Sequence, residues 1–218
     1  DGIVGTYLFV GLFTAPAYTS SARRIPLLRR KFENALASSG FDPRGHDGRA
    51  LVNIIETFPR DELFQIADDQ LLEIALGILS LQQRPRTALF LRRDDLDRFI
   101  VALVYVPRDR YSTDLRLRIQ KLIERAFAGT VTAHNSLVGE GALARLHLFV
   151  TTLPGQIPPY DEKALEQGIV AATRSWADHL SDALISTYGE AEGRRLLRRY
   201  GDAFPPGYQD HFDAVQAV

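Results

Sequence analysis

The 218 residues contain no cysteine and no methionine, a single tryptophan and three lysines. Without cysteine there is no disulfide framework, no thiolate nucleophile and no Cys-ligated zinc or iron–sulfur centre, so the fold rests on its packed core. Long hydrophobic runs are missing as well. The longest, YLFVGLF over 7–13, falls far short of the ~20 residues that cross a bilayer, and no basic segment with an apolar core opens the chain. A soluble cytoplasmic protein is expected. Formal net charge is -1, which removes the electrostatic footprint of a nucleic-acid binder. The five histidines, His46, His134, His147, His179 and His211, form no i,i+4 pair and no HExxH pattern, and no GxSxG elbow occurs. Neither a metal site nor a serine nucleophile is therefore expected, and no residue is assigned a catalytic or cofactor-binding role.

What is present is 45% hydrophobic and 24% charged residues, the balance of a globular chain long enough for one large or two small domains. The chain opens on DGIVGTYLFVGLF, which reads as a strand already under way and predicts a piece of a longer protein. Apolar residues at Ile25, Leu28, Phe32, Ala35 and Leu36 follow helical spacing and end at Gly40. After the turn FDPRGHDG, the stretch RALVNIIETF puts Leu51, Ile54, Ile55 and Phe58 on one face, with Asp47 as the expected N-cap and Pro59 as the stop. A short helix is expected over RDELFQI, and a longer one over DDQLLEIALGILSLQ with Leu72, Ala75, Leu76 and Leu79 inward.

QQRPR, residues 82–86, is polar, carries a proline and separates a helical pattern from a β-rich one. Beyond it, TALFLRR and FIVALVYV flank the turn DDLD as a hairpin. A helix capped by Ser112 and stopped by Gly129 follows, with Leu115, Ile119, Leu122, Ile123 and Ala126 on one face. TVTAHNSLV and ALARLHLFVTT form a second hairpin around GEG, and a long helix is expected from Asp161 to Tyr188. Strand, strand, helix, strand, strand, helix is a circular permutation of the ferredoxin-like βαββαβ sandwich. In it, Leu115, Ile119 and Leu122 are expected to pack on Val101, Leu103 and Tyr105. The fold class is thus α+β: a helical segment after an N-terminal strand (1–82), the permuted sandwich (87–190) and a helical tail (191–218).

Chemistry concentrates in two Pro-Arg-Asp tripeptides, at 59–61 and 107–109. Each suits a helix start: proline is favoured at the first helical position, Asp61 and Glu62 complement the positive end of the helix dipole, and Ser112 caps the helix after the second motif. For Pro107 to Ser112 a second reading stands beside that one. The loop joins a central strand to the first helix of the sandwich, where backbone N–H groups converge on one spot. Arg108 and Arg110 are placed to clamp a carboxylate, Asp109 to accept from an ammonium group, and Tyr111 and Ser112 to complete the loop; a small amino acid would satisfy them. An RNA binder on the same sandwich needs basic residues interleaved with exposed aromatics, which FIVALVYV lacks.

Read together, GLFTAPAYTSSARRIPLLRRKFENAL, GFDPRGHDGRALVNIIETFPRDELFQI and FIVALVYVPRDRYSTDLRLRIQKLIERAF resemble the large bacterial NAD-dependent glutamate dehydrogenases, a likeness running from about Gly5 to Phe212. The resemblance implies a very long subunit with ACT-like and PAS-like regulatory domains, helical segments and a C-terminal Rossmann-type catalytic domain. This chain would then hold the end of the PAS-like region and an ACT-like domain. NAD would belong to the parent and not to this segment, and the partners would be its own catalytic domain, other subunits of a homo-oligomer and a small amino-acid effector. ACT domains bind effectors at the loop that Pro107 to Tyr111 occupies here, although the glycine of the Asp-Arg-Pro-Gly-like turn is missing. The alternative is a stand-alone ACT-like amino-acid-binding module.

Overall fold

A computed structural model of the chain describes residues 5, 8, 10–209 and 211–218. The chain divides into two compact units, Asp1–Arg84 and Pro85–Val218. The strand expected at the N-terminus falls largely outside the described residues; Gly5, Leu8 and Val10 to Thr14 lie in neither helix nor strand.

The first unit is helical: α1 (Ala15–Thr19), α2 (Pro26–Ser39), α3 (His46–Glu56), α4 (Arg60–Gln65) and α5 (Asp68–Gln83). Pro26 opens α2 at a position whose N–H has no intrahelical partner, and Gly40 closes it in the left-handed region at φ 69°. The N-cap of α3 is Gly45, not Asp47, which sits inside the first turn. The cause is local: Asp42 accepts the Arg44 and Gly45 N–H groups and folds the chain into the helix two residues early. In α5 the buried residues are Leu71, Ile74, Ala75, Ile78, Leu79 and Leu81: Ala75 and Leu79 turn inward as expected, while Leu72 and Leu76 are only half-buried and Leu71, Ile74 and Ile78 take their place. From Leu71 to Leu81 only Glu73 and Ser80 are polar, and periodicity cannot fix which side turns inward. Burial of Lys31 is offset by donation from Nζ to the Ile66 carbonyl.

The second unit begins with β1 (Ala88–Arg93) and β2 (Phe99–Pro107), then α6 (Thr113–Phe127), β3 (Thr130–Val138), β4 (Leu143–Thr151) and α7 (Glu162–Thr173). The strands form one antiparallel sheet of order β1-β2-β4-β3, the permuted ferredoxin-like arrangement. Its helix-facing core joins Leu89 and Leu91, Ile100, Ala102, Val104 and Val106, and Leu146, Leu148 and Val150 to Leu115, Ile119, Ile123 and Phe127 of α6 and Leu165 and Ile169 of α7. Each large aliphatic residue so buried contributes roughly 1.5–3 kcal/mol. The expected partners Val101, Leu103 and Tyr105 point to the opposite face, where they are buried as well. FIVALVYV is apolar at every position, so alternation shows that two sets exist but not which one meets the helices.

Ala128, not Gly129, takes the left-handed position that ends α6, at φ 47°. Gly129 answers a different need: a Cβ there would lie 2.8 Å from the Thr151 carbonyl oxygen, so the bare backbone lets the chain pass close beside β4.

The long helix expected from Asp161 to Tyr188 is broken. α7 ends at Thr173, and α8 (Trp176–Tyr188) starts afresh behind a reciprocal capping box in which Ser175 and Asp178 bond each other's backbone N–H groups. α9 (Glu190–Tyr200) and α10 (Pro206–Gln209) follow. Leu180, Leu184 and Ala214, with Trp176, Leu196, Leu197 and Phe204 against them, make a small core separate from that of the sandwich.

Candidate functional site

The loop after β2 is a single 3-10 turn, Arg108–Arg110, entered from Pro107 and left through Tyr111. Its backbone is held by the neighbouring hairpin and by itself: the Arg108 N–H donates to the Ala142 carbonyl at 2.9 Å, and the Tyr111 N–H to the Arg108 carbonyl at 3.2 Å. Ser112 then caps α6, its Oγ accepting the Leu115 N–H at 3.1 Å. One of the N–H groups expected to face a ligand is thereby satisfied within the helix.

All five candidate residues thus share one corner of the sandwich, yet most of their polar groups are engaged inside the chain. Arg108 reaches from Nη1 to the Gly139 carbonyl in the β3–β4 turn at 3.2 Å. Arg110 forms a two-pronged pair with Asp178 at the start of α8, Nη1 to Oδ2 and Nη2 to Oδ1, the second at 3.2 Å. Tyr111 is half-buried against the core. Asp109 stands out: its side chain is 79% exposed, and its carboxylate lies 3.8 Å from Arg110 Nε. The corner accordingly presents one exposed carboxylate beside a guanidinium that already holds a carboxylate.

Asp178 escapes sequence reasoning focused on the Pro-Arg-Asp motif, because it lies 68 residues from Arg110. A signal was available in Ser175-Trp176-Ala177-Asp178, the spacing of a capping box, which marks a helix start inside what otherwise reads as one long helix. Its carboxylate also accepts the Ser175 N–H at 2.8 Å and the Ser175 hydroxyl at 2.9 Å. The Arg110 guanidinium first, then these Ser175 bonds, hold the Asp178 carboxyl well below the ordinary aspartate value of 3.8, against the upward push of burial.

A folded-state value below the unfolded one means that ionised Asp178 favours folding above the ordinary aspartate value, and that this contribution disappears as pH falls through and below it. Asp178→Asn is therefore expected to lower the melting temperature at neutral pH and to converge with the wild type in strong acid. Thermal melts from neutral pH into acid read this directly; a gap that stays constant with pH would show that the charge of Asp178 is irrelevant.

Among the described residues no group of three or more His, Cys, Asp or Glu side chains is placed to hold a metal ion, and no helix is long and apolar enough to cross a membrane. His147 lies in β4 with its ring 4.9 Å from that of Phe149, and His179 is exposed on α8.

Comparison with known proteins divides the chain in three. Residues 25–84 match the family model described as glutamate dehydrogenase, helical motif 1; residues 88–177 match glutamate dehydrogenase, ACT2 domain; residues 183–218 match glutamate dehydrogenase, helical motif 2. The NAD-specific glutamate dehydrogenase of Halomonas elongata is 42% identical over 217 residues, covering 99% of this chain and 13% of that protein. The proteins of the same name from Pseudomonas aeruginosa and Mycobacterium tuberculosis are 37% and 34% identical over 96% and 94% of the chain, again 13% of each relative. The chain therefore spans about one-eighth of the length of the curated relatives it matches, at 13%.

Proposed function

From the premise that this chain belongs, as a segment, to the large NAD-specific glutamate dehydrogenase family, we propose that it serves regulation and subunit assembly in such an enzyme. The parent would oxidise L-glutamate to 2-oxoglutarate and ammonia with reduction of NAD, in the cytoplasm, through a catalytic part that lies outside these residues. A stand-alone amino-acid-binding module is disfavoured, because nearly the whole chain aligns inside much longer proteins.

The observation that carries the assembly half is strand β3. It forms one edge of the sheet, and eight of its nine residues are exposed, Val131 being half-buried. TVTAHNSLV contains no Asp, Glu, Lys, Arg, Pro or Gly. Edges left free in solution normally carry charge, proline or a cover that stops them pairing. Two devices exist here, both at the start of the strand: an irregularity between Val131 and Ala133, and the Glu124 carboxylate, which takes the Val131 N–H at 2.9 Å. From Ala133 to Val138 the edge is regular.

A second copy of the chain fits it. Antiparallel pairing about Asn135 sets Ala133 opposite the other copy's Leu137 on one face, and His134 opposite Ser136 on the other. No formal charge meets its like, and main-chain hydrogen bonds supply the attraction. Sedimentation of the 218-residue chain tests this: the wild type is expected to dimerise, and Leu137→Lys, which buries an ammonium group at each end of the pairing, to be monomeric. A wild type that stays monomeric, or a Leu137→Lys variant that still dimerises, would overturn the strand pairing.

The regulatory half rests on the corner at Arg108 to Ser112, where a small amino acid is the effector class that the side chains suit. Its coupling to the catalytic part would be of the usual size, ~1–3 kcal/mol and reciprocal between effector and substrate.

A further inference from the structure

We propose that the Arg110–Asp178 pair is a latch: it holds the helical tail on the sandwich, and an amino-acid carboxylate that reaches the loop takes the place of Asp178 on Arg110 and frees the tail. This rests on the regulatory reading above and names its moving part.

The tail and the sandwich have separate hydrophobic cores, one built on Leu180 and Leu184, the other on the sheet with α6 and α7. The chain passes between them through Arg174 and Ser175 alone. Non-local polar contact across this joint comes from Arg110, reaching out of the β2–α6 turn to the first turn of α8. With little shared core, the direction of α8 depends on that pair, because a planar guanidinium gripping a carboxylate by two hydrogen bonds fixes angle as well as distance.

The same geometry makes the grip exchangeable. The side chains of Arg110 and Asp178 are 34% and 33% exposed, so solvent and solutes reach them. Arg110 accepts any carboxylate in the fork that Asp178 now fills, and Asp109, exposed beside it, offers an acceptor for an ammonium group. A free α-amino acid carries both charges. Release does not unfold the helix: Asp178 keeps its hydrogen bonds to Ser175, and Arg174 braces the first turns of α8 through its pair with Asp182. Two states of the joint therefore share one set of folded elements, which is what a switch between rigid bodies requires.

The absence of cysteine makes the test clean. Lys121→Cys on α6 and Arg198→Cys on α9, both exposed positions, carry spin labels in a sample diluted into unlabelled chain, and pulsed electron paramagnetic resonance reads the distance between sandwich and tail. The expected result is a narrow distribution that broadens and shifts with Arg110→Gln, less so with Arg110→Lys, which keeps the charge but loses the fork. Saturating L-glutamate is expected to produce the same change in the wild type and none beyond it in Arg110→Gln, while sodium chloride of equal ionic strength leaves the distance alone. Far-ultraviolet circular dichroism confirms that the variants stay folded. The latch is overturned by any of three results: an unchanged distribution in Arg110→Gln, no response to L-glutamate, or the same response to sodium chloride. An unchanged distribution in Arg110→Gln would sink the latch alone, whereas a distribution that changes in Arg110→Gln but not with L-glutamate would sink amino-acid binding at the corner as well; a monomeric chain with a responsive distance would sink only the assembly reading.

Discussion

Phe127→Ala is expected to cost the sandwich about 3–5 kcal/mol, the range for removing a fully buried aromatic ring. Phe127 is the last residue of α6, 0% exposed, with its ring edge-on to Tyr160 at 4.8 Å. It closes the core at the end where the chain turns from α6 into β3, and a methyl group in its place leaves a void lined by the neighbouring aliphatic residues. The site has little freedom to collapse. Ala128 is already in the left-handed region, and Gly129 already passes close to Thr151. Against a domain stability of ~5–15 kcal/mol, such a loss is about a fifth or more of the whole. Urea unfolding read by hydrogen exchange in peptides from α6 and β4 checks it. A loss below about 1 kcal/mol would mean that the ring is not part of a tight core.

Gly48→Ala should damage the first unit by about 3 kcal/mol, although it adds one methyl group. Gly48 lies in the first turn of α3, and a Cβ there would sit 2.0 Å from the Asp42 carbonyl oxygen, 2.8 Å from the Asp42 carbonyl carbon and 2.9 Å from Pro43 Cα. All three are backbone atoms, so no side chain can swing aside. The loop must move instead, and it is the loop whose Asp42 accepts the Arg44 and Gly45 N–H groups and starts the helix. Because the chain consists of two compact units, one unfolding curve would merge them. Exchange measured in peptides of α2, α3 and α5 should rise in Gly48→Ala while those of α6 and β4 stay protected; the reverse pattern is expected for Phe127→Ala. Equal protection of α3 in wild type and variant would show that the loop yields without cost.

Much of this architecture was legible in the residues. Ser112 before an apolar helical run and Gly40 at a helix end are local signals, and local backbone geometry sets them. The order strand, strand, helix, strand, strand, helix followed from alternation and turns, and it names the permuted sandwich with its antiparallel order β1-β2-β4-β3. The family likeness was carried by long phrases such as VPRDRYSTDLRLRIQKLIERAF.

Other features were not legible, for definite reasons. FIVALVYV and DDQLLEIALGILSLQ are apolar on more than one side, so their patterns fix the type of element but leave open which face meets which neighbour; only packing chose Ile100, Ala102, Val104 and Val106 for the helices of the sandwich. The break at Arg174–Ser175 was hidden because α7 and α8 each have helical periodicity, and the cap that separates them is a matter of two side chains. The role of the charged loop shows the division most plainly. Residue types alone offered Arg108 to Ser112 two readings, a helix start and a corner for a carboxylate. Which carboxylate Arg110 meets was decided by the fold, which brings Asp178 across 68 residues into its fork, because a long-range contact depends on where two elements end up and not on the spacing of either.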